Sequence, residues 1–192
     1  MKLNIIHLPH RTDRFELLQK ELASQGITDY QIWNGIMDAE LPARGISRAH
    51  KQIVRDAADK GLPEVLIGED DLHFTGRGAF DFYLNHKPRN FDLYLGGIYH
   101  GDIDRDGITR DFSGLTLYMV SSRYYQKFLD SAEDKHIDRF QTNRGRFVVC
   151  QPCIVQQHDG FSDNVKKTVE YGSFLKGKTF FTGEGNPPIT IR

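Results

Sequence analysis

Apolar and polar positions follow two alternating rhythms along the first seventy residues. Leu3-Asn4-Ile5-Ile6-His7-Leu8 is a short apolar run closed by Pro9, the pattern of a strand. From Asp13 to Gln25 the apolar residues shift to helical spacing, with Phe15, Leu18 and Leu22 on one face and Gly26 as a stop. Tyr30 to Trp33 predicts a second strand. Ser47 to Lys60 predicts a second helix, with Ile53, Val54 and Ala57 turned inward and Gly61 after its end. Val65-Leu66-Ile67 then returns to strand text and is apolar on both faces. This β-α-β-α-β order predicts an α/β sandwich with a mainly parallel central sheet. Later segments continue less regularly: a short helix over Gly78 to His86, strands at Phe91 to Leu95 and Leu115 to Val120, a helix over Ser122 to Ala132, and strand pieces at Phe147 to Val149 and Ile154 to Gln156.

Length and composition narrow the picture. A chain of 192 residues suits one domain with a substantial core. Residues 1–170 read as that domain, and 171–192, rich in Gly, Lys and Pro, as an irregular tail. The formal net charge of −1 argues against a general nucleic-acid binder, which would carry a basic excess. No apolar stretch approaches the ~20 residues that span a bilayer. The opening MKLNIIHLPHRTDR has too short an apolar core for a signal peptide, so the expected compartment is the cytoplasm.

The chemistry concentrates where the third strand ends. Glu69, Asp70 and Asp71 follow Val65-Leu66-Ile67-Gly68 without interruption. At about 7 Å and an effective dielectric near 20, each like-charged pair costs roughly 2 kcal/mol. On an extended chain Glu69 and Asp71 share a face, and Asp70 points the other way. Two carboxylates on one face form half of a divalent-cation site, which Mg²⁺ or Mn²⁺ with phosphate oxygens would complete. Ligands of parallel α/β sheets bind outside the carboxyl ends of the strands, which is where these acids stand. A solvated acidic turn is the plainer alternative. His10, Arg11 and Arg14 follow the first strand at the same edge, and guanidinium groups there suit a diphosphate.

Two other patterns carry less. Asp102-Ile103-Asp104-Arg105-Asp106-Gly107 imitates the start of an EF-hand loop, but its twelfth position is Ser113 where a bidentate Glu is required. An Asp-Gly turn between strands is the expectation. Cys150 and Cys153 form a lone C-x-x-C inside strand-like text, where the two positions face opposite sides, and read as two buried thiols.

The ordered set of motifs resembles glycosyltransferase family 25, the lipopolysaccharide-type sugar transferases. The likeness begins with NIIHLPHRTDR and continues through GISRAHKQIVRDAADKGLPEVLIGEDD, similar to a Gly-x-x-x-Ser-His helix start leading to an acidic strand end. FDLYLGG, LTLYMVSSRYYQKFL, HIDR and QPCIVQQHDGFSDN then follow in the family's order, so it runs from residue 4 to about 164. Ala49 stands where the family usually has Ser, leaving His50 of that pair. The resemblance implies a GT-A-like nucleotide-binding α/β/α sandwich that uses a UDP-sugar and Mn²⁺ (or Mg²⁺), with inversion at the anomeric carbon. Under it His10, Arg11, Arg14, His50, Glu69 and Asp70 would bind the nucleotide-sugar, and Asp71 and Glu69 the metal. His158 would be a third, late metal ligand, and Asp138 the base that deprotonates a glycan acceptor. Two other functions compatible with strand-end carboxylates are a Mg²⁺-dependent phosphoryl transferase or phosphate-ester hydrolase, and a non-catalytic nucleotide- or glycan-binding module.

Overall fold

A computed structural model describes residues 1–192. In chain order the elements are β1 (Leu3–His7), α1 (Thr12–Ser24), β2 (Tyr30–Asn34), α2 (Pro42–Asp59), β3 (Glu64–Glu69), β4 (Leu72–Phe74), α3 (Ala79–Asn85), β5 (Leu93–Leu95), β6 (Ile108–Thr109), β7 (Leu117–Ser121), α4 (Tyr125–Leu129), α5 (Ile137–Phe140), β8 (Phe147–Val149), β9 (Val155–Gln157), β10 (Gly160–Ser162), β11 (Lys167–Val169), β12 (Thr179–Phe180) and β13 (Ile189–Thr190). Seven strands form the central sheet in the order β2-β1-β3-β7-β5-β8-β6. β1 is parallel to β2 and β3, and β5 to β8. β7 is antiparallel to both β3 and β5, and β6 to β8. Five strands therefore share one direction, and β6 and β7 oppose them. β7 reverses because the chain returns from β5 without a crossover helix, which a parallel neighbour would need.

The strands are apolar at successive positions because both faces of the sheet are covered. Val65 and Ile67 pack into one core with Val120, Ile53 of α2, Phe128 of α4 and Ile137 of α5. Leu66 packs into the other with Leu117, Met119, Leu18 and Leu22 of α1 and Tyr83 of α3. A one-residue slip of register would exchange these two sets. The result is the expected α/β/α sandwich with a mainly parallel central sheet.

The sheet order also creates a crevice. From β1 the chain crosses through α1 to β2 on one side; from β2 it crosses through α2 to β3 on the other. β1 and β3 therefore flank a topological switch point, and the crevice outside their carboxyl ends is where such sheets take ligands.

Several parts differ from expectation: the helix expected over Ser122 to Ala132 is a 3₁₀ turn followed by the short α4, and β4, β10 and β11 fall in segments with no strand expected. α2 begins at Pro42, five residues before the predicted Ser47: proline suits a first helical position, and Asp38 fixes the turn before it, its carboxylate accepting the N–H groups of Glu40 and Leu41 and pairing with Arg44. The last twenty residues are not an irregular tail. β12 and β13 pair antiparallel, Phe180 and Phe181 are buried in the two cores, and Cys153 exchanges backbone hydrogen bonds with Thr179 and Phe181. Apolar residues spaced among Gly and Lys hid this packing.

Candidate nucleotide and metal site

A cleft of about 200 Å³ opens at the β1/β3 switch point. Ile6 and Leu8 from β1 and its continuation, and Glu69, Asp70 and Asp71 from the end of β3, form its floor. α2 contributes Ile46 and His50, and the loop before it adds Ile36 and Met37. That loop lies tight on the helix: a Cβ at Gly45 would sit 2.2 Å from the Ile36 carbonyl oxygen, so only glycine fits there. Tyr99 and Tyr171, with ring centroids 5.7 Å apart, form part of an opposite wall.

The three carboxylates are held by different partners. Asp70, 7% exposed in its side chain, meets His7 Nδ1 at 2.8 Å and receives Arg14 Nη1 at 2.9 Å. The same Arg14 nitrogen lies 2.9 Å from Asp71 Oδ2. Glu69 accepts from His50 Nε2 at 3.2 Å, while His50 Nδ1 lies 2.7 Å from the Tyr118 hydroxyl. Burial keeps that hydroxyl protonated well above the ordinary range. A Tyr118 O–H donating to Nδ1 leaves the proton on Nε2 to reach Glu69. Burial pushes the Asp71 carboxyl up; Arg14 opposes the shift, and the Glu69 and Asp70 charges add to it. Asp70 and Asp71 thus share one permanent cation, Arg14, and Glu69 meets only the neutral Gln157 amide and His50.

Gln157, from the end of β9, completes the arrangement. Its Nε2 donates to Glu69 Oε2 at 3.2 Å and reaches Asp71 Oδ1 at 3.3 Å. Its Oε1 is buried with no hydrogen-bond partner. Buried polar atoms are normally satisfied, so this orphan is informative. Turning the amide over would aim its oxygen at two carboxylates, which repel it unless a cation lies between. A set of carboxylate and amide oxygens is the donor chemistry of Mg²⁺ or Mn²⁺. The residues fit such an ion.

The structure gathers some predicted residues in the cleft and moves others out. Arg14, His50, Glu69, Asp70, Asp71 and Asp138 line it. Asp138, in the first turn of α5, is 9% exposed and accepts the Gly114 N–H at 3.0 Å. Arg139 pairs with Asp111 instead of Asp138. His10 and Arg11 lie outside the lining. Arg11 forks onto Asp13 (2.9 and 2.7 Å) and holds Asp163 at 2.6 Å and the Phe161 carbonyl at 3.0 Å, pinning the β10–β11 hairpin. His10 lies 3.7 Å from Asp163. Those guanidinium donors are already used.

His158 also needs correction as a partner of Asp71. Its backbone N–H donates to the Asp71 carbonyl at 2.8 Å, but its imidazole bonds Glu21 at 3.1 Å. Consecutive side chains of an extended segment alternate. With Gln157 turned to the acids, His158 points to the opposite face. Gln157, His7 and Tyr118, which no sequence pattern singles out, are the side chains that stand with the acids and His50.

Asp102 to Gly107 is a turn: Asp104 Oδ1 accepts the N–H groups of Asp106 (2.9 Å) and Ile108 (2.8 Å), leading into β6. Cys150 and Cys153 are free and buried. No helix is long and apolar enough to cross a membrane.

No protein-family model matches the chain, and no curated protein matches it. Among solved structures it is similar to A197 from STIV, with 13% identity and a TM-score of 0.50, over 88% of this chain and 92% of that one. It is also similar to HddC from Yersinia pseudotuberculosis at 10% identity and TM-score 0.44, over 78% of this chain and 68% of that one. HddC complexed with GMP-PN gives 13% identity and TM-score 0.41, over 78% and 89%. The likeness to A197 is one of fold.

Proposed function

We propose that the chain is a metal-dependent glycosyltransferase that moves a hexose from a UDP-sugar to a glycan hydroxyl, with inversion. One observation carries the reading: at the β1/β3 switch point Asp70 and Asp71 share the one guanidinium of Arg14, and Glu69 beside them has no permanent cation, so the floor of the cleft is short of positive charge. One divalent ion would offset that deficit and displace the proton that burial favours on Asp71. The resemblance to family 25 supplies the sugar-transfer chemistry.

Glu69, Asp71 and the Gln157 amide would hold Mn²⁺ or Mg²⁺. When bound, the ion supplies charge stabilisation to a leaving diphosphate. The chain's own groups do the rest. Arg14 holds Asp70 and Asp71 in register, and the His50–Tyr118 pair orients Glu69. The exposed Lys166, without a carboxylate partner, lines the rim, where it can meet phosphate. Tyr99 and Tyr171 offer ring faces to a base or sugar. Asp138 is the base: as the acceptor oxygen bonds to the anomeric carbon and the bond to the phosphate oxygen breaks, the hydroxyl proton passes to its carboxylate and UDP leaves.

The test is a panel of UDP-hexoses incubated with the protein and Mn²⁺, with UDP release followed chromatographically, with and without oligosaccharide acceptors. Release from at least one donor, abolished by EDTA, is expected. Cleavage of simple phosphate esters with every UDP-hexose left intact would favour a phosphate-ester hydrolase. UDP binding without turnover of any donor would favour a binding module.

A further inference from the structure

Behind the cleft, on the other face of the β4–β9 ribbon, three side chains from separate parts of the chain converge: Glu21 of α1, His73 of β4 and His158 just after β9. We propose that they form a second metal site, selective for a borderline ion such as Zn²⁺, that clamps the ribbon to α1. One ligand atom from each lies within 4.8 Å of the others. Glu21 Oε1 is 2.8 Å from His73 Nδ1 and 3.1 Å from His158 Nε2. Tetrahedral zinc with bonds of about 2.0–2.1 Å places its ligands ~3.4 Å apart, so opening each of the two Glu21–histidine distances by a few tenths of an ångström brings those pairs to its spacing.

The surroundings suit an ion. Glu21 Oε2 accepts the Phe74 N–H at 3.0 Å, which fixes the carboxylate and leaves Oε1 for the metal. The two rings lie 4.4 Å apart and both address that same oxygen. Side-chain exposures of 38% for His73, 23% for His158 and 12% for Glu21 leave an entry path and room for water as the fourth ligand. Two imidazoles and one carboxylate are zinc donors, whereas the oxygen set in the cleft suits Mg²⁺ or Mn²⁺. The two sites are thus chemically distinct although the ribbon joins them. Gln157 and His158 are adjacent, and the His158 N–H bonds the Asp71 carbonyl. An ion behind the ribbon would therefore rigidify the segment that presents Gln157 to the cleft. The inference does not depend on sugar transfer.

The experiment is a titration of metal-free protein with Zn²⁺ alone against a chromophoric chelator, repeated with Co²⁺ to read its visible bands. Wild type should take up one Zn²⁺ tightly and give the intense bands of tetrahedral Co²⁺. Asp71→Asn should retain both. His73→Ala, His158→Ala and Glu21→Gln should each lower affinity on the order of 100-fold, as loss of a ligand leaves the shell incomplete. Glu21→Gln keeps the side chain's shape and one oxygen for the two histidines but turns its NH2 toward the Phe74 N–H, so melting without metal separates ligand loss from misfolding. Unchanged Zn²⁺ affinity in all three variants would overturn the proposal. Loss of the tight site in Asp71→Asn alone would assign the ion to the cleft and overturn it too.

Discussion

Arg14→Met removes the permanent cation under the acidic triplet while keeping most of the side chain's length and apolar stem. In the folded protein one guanidinium nitrogen lies 2.9 Å from both Asp70 and Asp71, and the second donates to the Phe161 carbonyl at 3.2 Å. Arg14 is 18% exposed in its side chain and each carboxylate 7%, so water screens the pairs little. At a charge separation near 4 Å and an effective dielectric near 20, each pair is worth about 4 kcal/mol before desolvation. Breaking a buried pair by removing one partner costs about 3–5 kcal/mol. Because burial already raises the Asp71 carboxyl, a proton can replace part of the lost charge and hold the penalty near the lower end. The sign follows by linkage. An acid raised on folding keeps its proton in the native state over a range where the unfolded chain has lost it, so stability falls as pH rises through that range and recovers as pH falls. The assay is urea unfolding in EDTA, followed by the fluorescence of Trp33, the only tryptophan. A loss of about 3 kcal/mol at pH 8, smaller at pH 5, is expected. A loss below ~1 kcal/mol at pH 8, or a larger one at pH 5, would refute the shared-cation account.

Gly45→Ala should destabilise by about 1–3 kcal/mol and weaken ligand binding, because the new methyl must push the Ile36 carbonyl and the cleft wall aside; urea unfolding and calorimetry would read both. The Cys150 and Cys153 thiols, raised by burial to about 12 and 11, should resist a thiol reagent at pH 8 until urea unfolds the chain. Since both are held protonated in the native state, their contribution to stability should decline above about pH 9, as the unfolded chain ionises first. Asp138→Asn should bind UDP–Mn²⁺ like wild type and lower donor turnover about 10²–10⁴-fold, the range of general-base contributions; calorimetry with a turnover assay separates the two.

The sequence revealed the half of the fold built from long periodic elements. β1, α1, β2, α2 and β3 carry enough apolar positions to set their period, and their alternation implies the sandwich and its switch point. Strands of two or three residues such as β4, β6 and β10 are too short to show any period. The first turn of α2 is not legible because Pro42-Ala43-Arg44-Gly45 lacks an apolar rhythm and Asp38, which fixes the preceding turn, stands outside the helix. The acids of the site were legible because three in a row at a strand end are conspicuous. Which neighbours face them was not. Arg11 and Arg14 are three residues apart, and only the three-dimensional course of the β10–β11 hairpin decides that Arg11 anchors it. Gln157 and His158 differ by one step of strand alternation, and β9 is too short to show which parity turns inward.

The central claim is that the cleft binds a nucleoside diphosphate through a divalent ion held by the strand-end acids. The direct measurement is the UDP-dependent change in melting temperature at fixed Mn²⁺ and in EDTA, for wild type and Asp71→Asn. At a ligand concentration of 100 Kd the folded state gains about 2.7 kcal/mol. For a domain of this size that is roughly 5–11 °C. The account predicts a rise of that order for wild type with Mn²⁺, and little or none in EDTA or in Asp71→Asn. An equal rise in EDTA, or an undiminished Mn²⁺-dependent rise in Asp71→Asn, would contradict it.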